Sequence, residues 1–523
     1  MKKLLFTFLA ISFYSASAQT DEKLWHHSDL EQDGIPGVSL DQAYDYLGDR
    51  PSKKVIVAII DSGYELDHEA FINKLWVNEG EIAGNGKDDD GNGYADDING
   101  WNFIGGPEGN ITNETLELTR EYRKLKAKYE NAKPSKSAEY KYWKEIEEAF
   151  LKESGEMQAS AEGFFANYNS IPYNYQLLAG YAQVDTLTLE ALNTINSSDS
   201  TVLKADAYLT NIVNYLGGSA TIGQIMELFE GGYSYYDYQY NYAYNPDFDP
   251  RPVVGDDLTD LSQKGYGNAR IDDVDGYGGS HGTHVAGIVG GENYGITSNV
   301  EFMFIRAVPS GDERDKDVAN AIMYAVDNGA KVVNMSFGKG YSPEQDIVRK
   351  AVKYAESKGV VLVHAAGNDG SNNDEVPSYP DGSITSKKRS KVWIEVGASS
   401  SNYDENLPAS FSNYGKSNVD LFAPGVAILS SVPENTYKAN SGTSMAAPVV
   451  AGVSALLLSY FPDLSATDVK DILLKSVSQV DLQVNRPGSK DKVQFSELSK
   501  TGGIVNAYKA VKLADQRVKI QKN

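Results

Sequence analysis

The 523-residue chain has no cysteine, which excludes both a disulfide framework and lipid attachment at a cysteine. Basic residues are also few: 48 Lys and Arg stand against 72 Asp and Glu, a formal charge of −24. Nucleic-acid backbones are bound by basic surfaces, so no nucleic-acid partner is expected. Long apolar runs are missing as well. The richest stretch, Ala446 to Leu458, is interrupted by Pro448, Gly452 and Ser454, and no stable membrane insertion is expected. No repeat of fixed period is visible. The acidic excess suits an exported protein and favours divalent cations, although plain solubility explains it equally well. With 41% hydrophobic residues, the chain has material for a large core and length for more than one domain.

The N-terminus carries an address. Lys2 and Lys3 precede an apolar stretch from Leu4 to Tyr14, followed by Ser15-Ala16-Ser17-Ala18-Gln19. A charged start, a short apolar run and a small-x-small site read as a signal peptide over 1–18, cleaved after Ala18. Export to the periplasm or the outside of the cell follows. Residues 19–51 read as a polar, loop-like leader.

Lys53 to Ile60 is a continuous β-branched run closed by Asp61-Ser62-Gly63, the pattern of a buried strand. Val332 to Ser336 and Val360 to His364 repeat it, the latter followed by Ala365-Ala366-Gly367-Asn368. Helical patterns at Asp317 to Asn328 and Ser342 to Lys358 lie between. Apolar strands alternating with helices predict an α/β three-layer sandwich with a mainly parallel central sheet. Chemistry in such sheets gathers at the carboxyl ends of strands, where Asp61 and Asn368 fall.

Residues 106–254 differ in style. Leu118, Tyr122, Leu125 and Tyr129 form an apolar stripe on a charged helix over 115–130. Lys136 to Glu153 repeats it, shorter helices fit 205–216 and 222–230, and a tyrosine-rich loop spans 233–244. This reads as a mostly helical insertion. The expected domains are therefore an α/β unit over 52–105 and 255–511, the insertion 106–254, and a tail 512–523.

Gly442-Thr443-Ser444-Met445-Ala446-Ala447-Pro448 places a serine before small residues that become helical. A nucleophile there gains from the positive end of the helix dipole, and small neighbours admit a substrate backbone. The string from Asn440 to Gly452 resembles the serine motif of the subtilisin-like peptidases. Val57 to Gly63 resembles the family's aspartate motif, and His281-Gly282-Thr283-His284-Val285-Ala286-Gly287 its histidine motif. The chain order Asp, His, Ser is that of subtilisin. The resemblance implies a serine endopeptidase of broad specificity with a triad of Asp61, His281 and Ser444. It also implies Asn368 as the oxyanion-hole side chain, beside the backbone N–H of Ser444. Ser336, Phe337 and Gly338 resemble the edge segment that pairs with extended substrate, with Ala366 and Gly367 lining the same cleft. A His281–His284 metal pair lacks the intervening Glu of a zinc protease, and His364 reads as structural.

Asp88, Asp90, Asn92 and Asp96 fall at positions one, three, five and nine of an EF-hand-like loop, with Gly93 at six. Position twelve is Asn99, so an isolated loop holding structural Ca2+ is expected rather than an EF-hand. The His motif follows the Asp motif by about 220 residues, far beyond the family's usual few dozen. Too few residues precede the first strand for the propeptide domain common in the family. The insertion is therefore expected to flank the cleft and limit access, its tyrosines offering flat contact area. A monomer acting on protein or peptide substrates is expected. Two rival readings are a catalytically silent binding protein and a narrow processing protease.

Overall fold

The computed structural model describes residues 24–272 and 279–522, so the segment read as a signal peptide lies outside the described residues. The central sheet contains β1 (Val55–Asp61), β2 (Gly100–Asn102), β3 (Val300–Arg306), β4 (Val332–Met335) and β5 (Val361–Ala365). It continues through β6 (Trp393–Ser399), β7 (Leu421–Pro424), β8 (Ser478–Gln479) and β9 (Gly503–Ile504). Their spatial order is β8-β9-β7-β6-β5-β4-β1-β3-β2, and neighbours run parallel except β8 against β9.

The central strands do not alternate in polarity because both sheet faces are covered. Two helices, α6 (Gly279–Gly290) and α9 (Thr443–Tyr460), pack on each other and on the sheet; α7 (Asp315–Asp327) and α8 (Gln345–Lys358) do the same. Nearly every residue of β1, β4 and β5 is buried as a result. From β1 the chain first forms the edge strand β2 and then β3 between them, crosses to β4 on the other side, and continues outward through β5, β6 and β7. The strand order thus reverses around β1. A crevice forms outside the carboxyl ends of β1 and β4 at such a reversal.

The α/β sandwich expected from the sequence is present, but three local readings change. The leader is not a loop: α1 (Leu40–Leu47) packs on the C-terminal helix α11 (Ala507–Lys522). Val38, Leu40, Ala43 and Leu47 join the main core, and the Ala507 N–H donates to Val38 O at 2.7 Å. In the insertion, α2 (Glu117–Tyr129) lies where expected, but α3 runs from Ala138 to Ala182, beyond the Glu153 end. Pro172 lies inside it without ending it. The helices α4 (Ser200–Tyr215) and α5 (Ile222–Tyr238) follow, and α5 with a π-turn over Gln239–Ala243 takes in the segment read as a tyrosine loop. Tyr233 packs on Phe165 and Tyr168, Tyr236 on Phe164, and Tyr244 on Phe150. The rings of Tyr233 and Tyr236 lie half-buried along the seam between α5 and α3, and such packing sustains a helix that local propensity alone leaves weak.

The third change concerns α9. Pro448 lies within it, so the helix is continuous and has the length and apolarity of a membrane span. It is nevertheless 83% buried and forms the central helix of the core.

Candidate active site

Asp61 ends β1 and is 1% exposed. Its Oδ1 accepts hydrogen bonds from Ser62 N at 2.8 Å and Ser62 Oγ at 3.2 Å. His281 occupies the first turn of α6 and approaches the same oxygen with Nδ1 at 2.7 Å. An ionised carboxylate only accepts, so Nδ1 carries the proton and Nε2 remains an acceptor. The pair is closed at one end and open at the other: 2% of the Asp61 side chain is exposed, against 41% of the imidazole. Burial works against a charged ring, the Asp61 charge and hydrogen bond work for it, and the balance raises His281 above its ordinary 6.5. Gly282 lets α6 come this near. A Cβ there would lie 2.3 Å from Gly63 O and 2.8 Å from the Tyr64 ring.

Ser444 sits half-buried in the first turn of α9. Pro448 has no N–H to donate to the carbonyl four residues earlier, which leaves Ser444 O without its helical partner. Ser336, just past β4, fills the gap: its Oγ donates to Ser444 O at 2.9 Å. In return the Ser444 hydroxyl donates to Ser336 O at 3.2 Å. The helix start is thereby fixed to the strand next to the one carrying Asp61. Among the described residues the hydroxyl bonds to Ser336 O and not to the imidazole. Such contacts are commonly long in unliganded sites and tighten around a substrate.

Asn368 follows β5 and the turn at Gly367. With φ of +108° and a Cβ position only 2.4 Å from Asn413 Nδ2, that turn requires glycine. It directs Asn368 toward α9, where its Oδ1 accepts from Thr443 N at 2.9 Å and Thr443 Oγ1 at 3.0 Å. With the carbonyl end held, Nδ2 is the free end. Among the described residues neither Asn368 Nδ2 nor Ser444 N–H donates to a protein group. A Cβ on Gly442 would sit 3.6 Å from Ser444 N and 3.8 Å from Asn368 Nδ2, so both donors face one small space.

The expected substrate positions divide into two kinds. Ser336 is buried, Phe337 half-buried and Gly338 exposed. Among the described residues the backbone N–H and C=O groups of Phe337 and Gly338 have no hydrogen-bond partner. Ala366 and Gly367 are instead paired internally. Ala366 O accepts from Asn373 Nδ2 at 2.8 Å and Asn413 Nδ2 at 3.1 Å. The Gly367 N–H donates to Thr443 Oγ1 at 3.2 Å, and its carbonyl accepts from Asn413 N at 2.8 Å.

His284 is fully buried on α6, with Nε2 at 2.9 Å from Lys438 O. Burial pulls its pKa down to about 4, so the ring is neutral and packed. His364, also fully buried, pairs through Nδ1 with Glu395 Oε1 at 2.9 Å.

The acidic loop arranges its ligand candidates differently from the EF-hand count. Among the described residues, Glu81, Asp90 and Asp97 present carboxylate oxygens within 4.8 Å of one another. Asn92 reaches this group through Nδ2, 3.1 Å from both Asp90 Oδ2 and Asp97 Oδ2. Asp88 accepts from the backbone of Asn92 and Gly93, and Asp96 from that of Asn85 and Gly86. Asp96 takes a left-handed conformation, φ 58°, which turns Asp97 rather than Asp96 inward. Burial pushes Asp97 up to about 6, against hydrogen bonds from Tyr324, Asn78 and Asn92 that pull it down. Three hard carboxylate oxygens, one fully buried, suit a cation such as calcium. Sequence spacing missed Glu81 and Asp97 because Glu81 precedes the acidic run and Asp97 lies one place past the ninth position.

A carboxylate at the end of β1, an imidazole paired to it, a serine in the first turn of α9 and an amide just past β5 define a parallel α/β protein with a hydrolase-like site. Residues 52–495 match the family described as the subtilase family, and the chain belongs to it. Members of this family are serine endopeptidases. The chain is 40% identical over 223 residues to the thermophilic serine proteinase of Bacillus sp. (strain AK1), covering 41% of itself and 49% of that relative. It is 39% identical over 210 residues to subtilisin DY of Bacillus licheniformis, covering 39% of itself and 72% of that relative. Among solved structures, a cold adapted subtilisin-like serine proteinase matches at 33% identity and a TM-score of 0.36, over 43% of this chain and 76% of that one. The chain thus spans about half the length of the first of these relatives.

Proposed function

We propose that this protein is an exported serine endopeptidase that cleaves peptide bonds through an acyl-enzyme. Ser444 Oγ attacks the scissile carbonyl, His281 Nε2 takes its proton and later delivers it to the leaving amine, and Asp61 orients and stabilises the imidazolium. Asn368 Nδ2 and the Ser444 N–H, both free and facing one space, receive the oxyanion. The open backbone of Phe337 and Gly338 takes an extended substrate by strand addition, with Ser336, Ala366 and Gly367 shaping the cleft. The observation that carries this reading is the Asp61–His281 contact of 2.7 Å at the strand-order reversal, next to the Ser336–Ser444 pair. A fluorophosphonate probe tests it. Covalent labelling that disappears in Ser444→Ala supports the enzyme; absence of labelling in the parent protein returns the chain to the binding-protein reading.

Export rests on the Lys2–Ala18 pattern and is tested by the N-terminus of the mature protein, expected at Gln19. Calcium would be held by Glu81, Asp90 and Asp97, with Asn92 beside them, rather than by Asp88 and Asp96. Its role is to tether the loop and slow unfolding. The unit over 52–105 and 255–511 carries the chemistry and the insertion 106–254 limits which substrates enter. Proteolysis of folded against unfolded proteins tests this limit: a preference for unfolded chains is expected.

A further inference from the structure

The insertion is joined to the body through a buried ionic network that ends beside the open strand edge. Lys339 follows Phe337 and Gly338 directly. Its Nζ lies 2.7 Å from Glu117 Oε2 on α2 and 3.0 Å from Asp315 Oδ1 on α7, and only 1% of the side chain is exposed. Arg120, one turn further along α2, holds Glu117 with Nη2 at 2.6 Å and Nε at 3.2 Å. Arg314 holds Glu114 with Nη2 at 2.7 Å, a second tie between the body and the insertion's root. Burial alone would raise the Glu117 carboxyl, but Arg120 and Lys339 hold it well below its ordinary range.

Glycines flank the anchor. Gly338 and Gly340 carry no Cβ to restrict the backbone, so Lys339 is the side chain that can fix this segment. Its backbone is fixed on one side only, by paired 2.9 Å hydrogen bonds with Tyr379. Tyr341, just beyond, packs into the cluster of Tyr122, Trp143 and Phe150 that joins α2 to α3. The segment is thus gripped by the insertion at its side chains, and the Phe337–Gly338 edge stays unpaired. An unpaired edge is ready for a substrate strand only while it is held extended.

We infer that the insertion's first helix braces this edge, with Glu117 and Lys339 as positioning residues that hold Phe337 and Gly338 ready for an extended substrate. The inference rests on the proposed peptidase reading and names a second role for the insertion besides limiting access.

The test uses the full-length protein with two substrates, a hexapeptide amide and a single-residue ester. Glu117→Gln leaves Lys339 short of one partner. The double variant Glu117→Leu with Lys339→Met removes both charges of this contact together; Arg120 keeps Glu114 at 3.8 Å and the Thr115 carbonyl, and Asp315 keeps Ser342 Oγ and the Glu344 N–H. For both variants KM for the hexapeptide is expected to rise about tenfold, with kcat and the ester KM within about twofold. The double variant should be no worse than the single, because one network carries both effects. Fluorophosphonate labelling of Ser444 should keep its rate. Equal losses on both substrates, no loss on either, or slowed labelling in the variants would overturn the brace. A parent protein that neither labels nor cleaves would instead sink the peptidase reading beneath it.

Discussion

His281 Nδ1 meets Asp61 Oδ1 at 2.7 Å across 220 positions of chain, with the whole insertion looped out between them. The contact raises His281 above 6.5. A general base works only when unprotonated, so activity rises as pH passes upward through this value. The acid limb of kcat/KM is therefore expected above pH 6.5. Asp61→Asn removes the charge that raises it, and the limb should move down while kcat falls about 10⁴-fold. A parent limb below 6.5, or one that Asp61→Asn leaves in place, would separate the pair from the chemistry.

Asn368 offers its Nδ2 into the space it shares with the Ser444 N–H. Removing a preorganised donor of this kind costs about 10²–10³ in kcat with little change in KM, because the bond forms with the developing oxyanion. Asn368→Ala should show that split in steady-state kinetics with a peptide anilide. A rise in KM at constant kcat would mean that the side chain binds ground-state substrate instead.

The core of this site was legible in the sequence because its groups sit in contiguous strings. Asp61 closes an apolar strand, Ser444 opens a small-residue helix, and Asn368 follows a strand and a glycine turn. Groups that carry no local motif and meet only through the fold were not legible. Nothing near Lys339 in sequence points to Glu117, and the acidic loop's count of positions takes no account of the left-handed turn at Asp96. Period-based reading also stopped α3 too early, since beyond Glu153 its buried positions thin out and are set by α4 and α5. The leader helix was missed for a related reason. Its apolar face, Leu40, Ala43 and Leu47, is only two turns long and gains its partner from the far end of the chain.

The acidic loop supplies a third test. Calcium should raise the melting temperature of the protein, stabilising it by about 2.7 kcal/mol at a hundredfold excess over Kd. Glu81→Gln and Asp97→Asn should abolish the gain, since they belong to the converging carboxylates. Asp88→Asn and Asp96→Asn should retain most of it, because those carboxylates are occupied by backbone N–H groups. The opposite ranking in thermal shifts would restore the EF-hand-like ligand set.

Glu313 lies beside the brace network with Oε1 buried and unpartnered among the described residues. Burial pushes its carboxyl up to about 8, although Lys339 draws it down. In the unfolded chain the group titrates near its ordinary 4.5. Between these values the folded protein keeps a proton that the unfolded chain has released, so each upward step in pH favours unfolding. The stability associated with this group is complete below 4.5 and is lost as pH rises toward 8. Glu313→Gln keeps the shape and removes the titration. Urea midpoints for the variant and parent should agree near pH 4.5, and at pH 8.5 the variant should be more stable by about 1–3 kcal/mol. Identical pH slopes for the two proteins would show that the carboxyl is solvated or paired and titrates at its ordinary value.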